Sequence, residues 1–241
     1  MFEAAWWGFV GGAALLVGAL AGLYLSASTK VIGLVMAFGS GVLISALSFE
    51  LTREAYDAAG GTSVILGLLA GSAVFFIGDW FIDRRGGHRR KSPTGPQPGA
   101  GATALVLGAL LDGIPESAAI GVSLIGGHGV GTAVVAAVFL SNIPESMSAS
   151  AGMKAAGRTV RYILGLWLAV TVASTVAAAL GFAFLSGTDP ALVATIQAFA
   201  AGAILTMLAD TMVPEAVEHA GPLVGVLTVL GFTVAFLLSV A

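Results

Sequence analysis

Apolar residues dominate the chain in windows of about 20 residues or more, the length a helix needs to cross a bilayer. They fall at residues 4–26, 31–52, 62–83, 102–125, 130–153, 160–185, 191–213 and 221–240. Short polar connections separate most of them. The longest break, residues 84–101, holds Arg84, Arg85, His88, Arg89, Arg90 and Lys91, then Pro93, Pro96 and Pro98 among glycines. It reads as a flexible basic loop. The pattern predicts an all-α membrane protein of eight transmembrane helices: spans 1–3 in residues 1–83, the loop 84–101, spans 4 and 5 in 102–155, and spans 6–8 in 156–241. The first window lacks the basic n-region of a cleaved signal peptide and is long enough to span.

Composition sharpens this picture in three respects. Charged residues make up 10% of the chain and mean hydropathy is +0.98. A soluble domain carries about 25% charged residues, so a lipid bilayer is the implied environment, and nucleic acid is not an expected partner. The chain has no cysteine, which removes disulfides, thiolate metal sites and cysteine nucleophiles. The pairs Gly8–Gly12, Gly18–Gly22 and Gly67–Gly71 have the small-xxx-small spacing that lets membrane helices approach closely.

Orientation follows from Lys and Arg. Of the ten such residues, only Arg53 falls outside the loops joining spans 1–2, 3–4 and 5–6. The positive-inside rule makes those three loops cytoplasmic and places both termini outside the cell (plasma or inner) membrane. Residues 37–60 also align without a gap to residues 198–221, at an offset of 161. Ala37-Phe38 matches Ala198-Phe199, Gly41 matches Gly202, Glu54-Ala55 matches Glu215-Ala216, and Ala59-Gly60 matches Ala220-Gly221. Span 2 thus corresponds to span 7, which runs the opposite way. A 3+2+3 arrangement with inverted repeats follows, an organisation common in secondary transporters with a binding site near the midplane.

The inner pair carries the chemistry. Leu111-Asp112-Gly113-Ile114-Pro115-Glu116-Ser117 returns 29 residues later as Leu140-Ser141-Asn142-Ile143-Pro144-Glu145-Ser146. A carboxylate at a membrane helix centre costs ~2.5–3.5 kcal/mol or more. Each proline removes a backbone hydrogen bond, and the expectation is that both helices break there and free the carbonyls of Leu111 and Leu140. Residues four apart share a helix face, so Asp112 pairs with Glu116 and Ser141 with Glu145, with Asn142 alongside. The set is all oxygen and rich in negative charge. No Lys or Arg lies in span 4, or in span 5 before Lys154, so a divalent metal is the natural counter-charge, with protons the fallback.

Other polar positions are less specific. Ser45, Glu50 and Asp210 are candidates for an extra ligand or an ion path. Glu54 and Glu215 are expected at the extracellular ends, and Asp79 and Asp83 are expected to pair with Arg84 or Arg85. Thr171, Ser174 and Thr175 are expected to bond back to their own helix. His88, His128 and His219 read as solvated surface.

The two motifs, in adjacent spans 4 and 5 behind a basic loop, resemble the ZIP (Zrt-/Irt-like) family of divalent metal transporters. The family's span-4 signature is His-Asn-x-Pro-Glu-Gly. Asp112 stands at the His, Gly113 at the Asn, Glu116 at the shared glutamate and Ser117 at the Gly. Ser141, Asn142 and Glu145 occupy the matching ligand positions of span 5. The resemblance implies a metal site bridged by Glu116 and Glu145, a homodimer, and the ion as transported substrate, with no cofactor. The departures remove nitrogen ligands that suit zinc and leave oxygens that suit magnesium, calcium or manganese. The reading is a secondary transporter for zinc or another metal such as manganese or iron, directed into the cytoplasm. Its rivals are a proton-linked carrier of a non-metal substrate and an intramembrane metal-dependent enzyme. The latter lacks a His-Glu-x-x-His motif, a paired-aspartate signature and an obvious nucleophile.

Overall fold

A computed structural model describes residues 1–25, 27–94, 102–125 and 131–240, and the described residues are almost all helical. In order they form α1 (Phe2–Tyr24), α2 (Thr29–Ala46), α3 (Arg53–Ile82), α4 (Ala102–Ser123), α5 (Thr132–Ala155), α6 (Val160–Leu185), α7 (Pro190–Met207), α8 (Val213–Ala220) and α9 (Val224–Ser239). Five continuous helical runs among the described residues are long and apolar enough to cross a membrane. Two of these, Thr29–Gly87 and Pro190–Ser239, each cover two of the apolar windows. α5 is not among them because Ser141, Asn142, Glu145 and further serines dilute its hydropathy.

The starts are locally encoded. Ser28 accepts a hydrogen bond from the Val31 amide, Thr159 from Tyr162 and Asp189 from Ala191, which satisfies amides that the first helical turn leaves unpaired. The two long runs break at glycines with positive φ, Gly60 (74°) in α3 and Gly221 (62°) after α8. Left-handed backbone there costs glycine no Cβ clash. π-helical turns at Leu47–Thr52 and Leu208–Met212 precede these breaks. Both pairs of features lie 161 residues apart.

Glycines set the closest helix contacts. Along α1, a Cβ added at Gly8 would lie 2.5 Å from Ala178 of α6, and one at Gly18 2.2 Å from the Ile143 carbonyl of α5. At Gly41 it would lie 1.9 Å from the Thr228 carbonyl of α9, and at Gly202 2.1 Å from the Leu68 carbonyl of α3. At Gly231 it would meet the Phe38 carbonyl, and at Gly71 the Phe199 carbonyl. α2 therefore packs on α9 as α7 packs on α3, while α1 lies against α5 and α6. α5 is enclosed by these neighbours, with buried residues from Val134 to Met153.

Two expectations need correction here. Pro115 and Pro144 lie inside continuous helices, so they do not break α4 or α5. A single lost backbone bond is local, and the surrounding packing carries the helix across it. The basic loop is also more ordered than its composition implies. Its described part, as far as Thr94, forms a π-helical turn at Asp83–Gly87 and further turns beyond it, and Arg90, Lys91 and Ser92 are buried. Residues 95–101 and His128 lie outside the described residues.

Candidate cation site between α4 and α5

The two Pro-Glu motifs meet on a cation supplied by the chain itself. Lys91 Nζ lies 3.3 Å from Asp112 Oδ2 and 3.2 Å from Glu145 Oε2, with its side chain only 2% exposed. One carboxylate comes from each motif. Arg90 takes the other side of Asp112: its Nε donates to Oδ2 at 3.2 Å and its Nη2 to Oδ1 at 3.0 Å. The same guanidinium reaches Asp79 at 2.6 Å and Asp83 at 3.7 Å. Burial works against its charge, but Asp112 and Asp79 outweigh that and raise its pKa further.

These contacts overturn the expectation that no basic residue neutralises the site. The counter-charge is absent from spans 4 and 5 but returns from the loop. They also reassign Asp79 of α3 and Asp83 just beyond its end. Asp79 and Asp83 pair with Arg90, and Asp83 with His88 at 3.3 Å. Arg84 instead stacks over the Trp80 ring, 3.7 Å from its centroid.

The remaining candidates take up distinct positions. Glu116 is 1% exposed, and its Oε1 has no hydrogen-bond partner among the described residues. It lies near enough to Glu145, Lys91 and Asp112 to feel their charges. Asn142 is buried and its Nδ2 donates to the Gly11 carbonyl of α1 at 3.0 Å. Ser141 is buried and its hydroxyl donates to Val138 of its own helix. Ser117 and Ser146, which end the two motifs, donate to the Gly113 and Asn142 carbonyls four residues back. Ser45 is buried on α2. Glu50 sits in the first π-helical turn, where its carbonyl accepts from Gln197 at 3.3 Å.

Asp210, in the second π-helical turn, lines a cavity of about 660 Å³ with Asp79, Asp83, Arg89, Arg90, Lys91, Glu215 and Glu218. Glu215 consequently faces the basic loop: Arg89 pairs with both Glu215 and Glu218. This corrects its placement beside Glu54. Glu54 accepts instead from Gln197 at 2.9 Å. Nor is His219 solvated, since it is partly buried with Nδ1 at 2.8 Å from the Glu215 carbonyl. Thr171 bonds its own helix as expected, and also donates across to the Gly12 carbonyl of α1.

The residues that sequence reasoning missed are Arg90, Lys91, Gly108 and Ser148. A Cβ on Gly108 of α4 would lie 2.3 Å from Arg90 Cδ, so the bare glycine is what admits the arginine. Ser148 of α5 donates to the Lys91 carbonyl. The available signal was the charge balance, because a buried site with three acids needs cations from somewhere.

No protein-family profile matches the chain. It is 25% identical over 209 residues to a protein of Arabidopsis thaliana provisionally named a zinc transporter. The likeness supports the resemblance to the ZIP family drawn from the motifs. It covers 86% of this chain and 33% of the plant protein, so the chain spans about a third of that relative's length. The relative is named as a transporter and not as an enzyme.

Proposed function

We propose that the chain is a secondary transporter that carries a divalent metal cation across the cell membrane into the cytoplasm. Asp112, Glu116 and Glu145 are its central ligands, with Ser141 and Asn142 beside them. One observation carries the reading: Asp112 of the first motif and Glu145 of the second hold a single positive charge between them, 3.3 and 3.2 Å away. Two buried carboxylates are costly in hydrocarbon unless they serve an ion, and the relative's name points to zinc. An all-oxygen set extends the expected range to manganese and other oxygen-seeking ions.

The architecture proposed with it is eight spans in a 3+2+3 arrangement. The π-helical turns, the positive-φ glycines and the paired glycine contacts all recur at or near the 161-residue offset, which supports the inverted repeat. Alternating access then moves the inner helices α4 and α5, with α1 and α6, against α2, α3, α7 and α9. A homodimer stays part of the family-level proposal.

Uptake into proteoliposomes tests this, across zinc, manganese, iron, cobalt, cadmium and magnesium. The intact chain is expected to move at least one of these ions, and Glu116→Ala with Glu145→Ala to abolish that flux. A folded intact chain that moves none of them would sink the metal reading in favour of a proton-linked carrier.

A further inference from the structure

We propose that Arg90 and Lys91 form a tethered cationic plug, which occupies the carboxylate site in place of a metal ion and must leave for metal to bind. The inference rests on the metal-transport reading above. It begins from an unusual placement. Two adjacent basic residues of a connecting loop are buried among the carboxylates of α3, α4 and α5, with Lys91 bridging the two motifs. Lys and Arg are almost never fully buried unless paired.

The seat for this plug is built by residues outside the carboxylate set. Gly108 leaves the groove on α4 through which Arg90 passes, and Ser148 fixes the Lys91 carbonyl. Arg89, just before the pair, has φ +59°, the only positive φ of a non-glycine among the described residues. Such a conformation persists only where the surroundings impose it, and the two residues that follow it, Arg90 and Lys91, are buried.

Plug and metal exclude one another. The free space beside Lys91, Asp112 and Glu145 is about 20 Å³, room for roughly one water. A metal ion that reaches both carboxylates has to take the ammonium's place. Electrostatics make the exchange feasible. Arg90 and Lys91 together carry the charge of one divalent ion, so a swap leaves the net charge of the site unchanged. A monovalent ion replaces half of it and leaves buried carboxylates uncompensated, so the plug also discriminates against sodium and potassium. The displaced side chains have an acidic place to go, since the cavity of about 660 Å³ beside them is lined by Asp83, Asp210, Glu215 and Glu218.

The absence of cysteine makes a direct test available. Ser92 is fully buried behind the pair, so Ser92→Cys reports whether the loop is seated. With manganese chloride as the probe, maleimide labelling of Ser92→Cys is expected to accelerate at least tenfold. That acceleration is expected to vanish when Glu116→Ala and Glu145→Ala are added. By calorimetry, Lys91→Met and Gly108→Ala are each expected to bind manganese at least tenfold more tightly than the intact chain. Gly108→Ala touches no proposed ligand and answers the question even if Lys91→Met fails to fold. Equal manganese affinity in all three proteins, with labelling unmoved by the metal, overturns the plug and leaves the transport reading standing. Absence of manganese binding and of metal flux in the intact chain and in both variants overturns that reading, and the plug with it.

Discussion

Asp112→Ala is expected to be the most destabilising single substitution in the site. It strands two buried cations at once, because Arg90 and Lys91 both use this carboxylate. Removing one partner of a buried ion pair costs about 3–5 kcal/mol, since the other charge is left uncompensated. At ~2–4 °C per kcal/mol for a chain of this size, the unfolding midpoint should fall by on the order of 10 °C. Tryptophan fluorescence on heating in detergent would report it. Adding Arg90→Ala and Lys91→Met should recover much of the loss, because the stranded charges go with them. Glu116→Gln should behave in the opposite way. It neutralises a buried carboxylate whose Oε1 has no hydrogen-bond partner among the described residues and which lies close to two others, so stability should hold or rise even as the metal binding proposed for this residue is lost. A midpoint for Asp112→Ala equal to that of the unsubstituted chain would mean that Lys91 and Arg90 are not held as described.

A second large effect is expected at the helix crossings, from Gly202→Leu. Its added side chain meets the Leu68 carbonyl at 2.1 Å, and backbone cannot step aside as a flexible side chain can. The loss should reach the upper end of the ~1–3 kcal/mol that overpacking costs, or exceed it. Gly165→Ala and Gly225→Ala are the matched controls, with nothing within 4 Å of an added Cβ. They should be neutral, or stabilising by up to about 1 kcal/mol through helix propensity. Equal midpoints for Gly202→Leu and these controls would rule out close packing of α3 on α7.

The helices and the paired motifs were legible in the sequence because both are local. Hydropathy windows mark a helix without knowledge of its neighbours, and Asp112 and Glu116 share a face by spacing alone. The 37–60 and 198–221 alignment was visible for the same reason. The return of Arg90 and Lys91 was not. A run of basic residues followed by prolines and glycines has the composition of a solvated loop, and only tertiary contacts with Asp79, Asp112 and Glu145 reveal otherwise. The π-helical turns were equally hidden, since one extra residue per turn leaves hydropathy unchanged. Pro115 and Pro144 misled in the other direction: their propensity to break a helix is real, but it yields to packing along α4 and α5.

The polarity of α5 bears on how the protein is made. A newly synthesised segment holding Asn142, Glu145 and several serines would meet hydrocarbon with groups that only its neighbours can satisfy. α1 emerges from the ribosome before α5, and its Gly18 and Gly22 already shape the surface that α5 will occupy. Asn142 then finds the Gly11 carbonyl and Lys154 the Leu23 carbonyl, both on α1. The order of synthesis thus supplies the acceptor before the helix that needs it, and α5 is expected to enter the bilayer as a companion of α1, not as an independent insertion event.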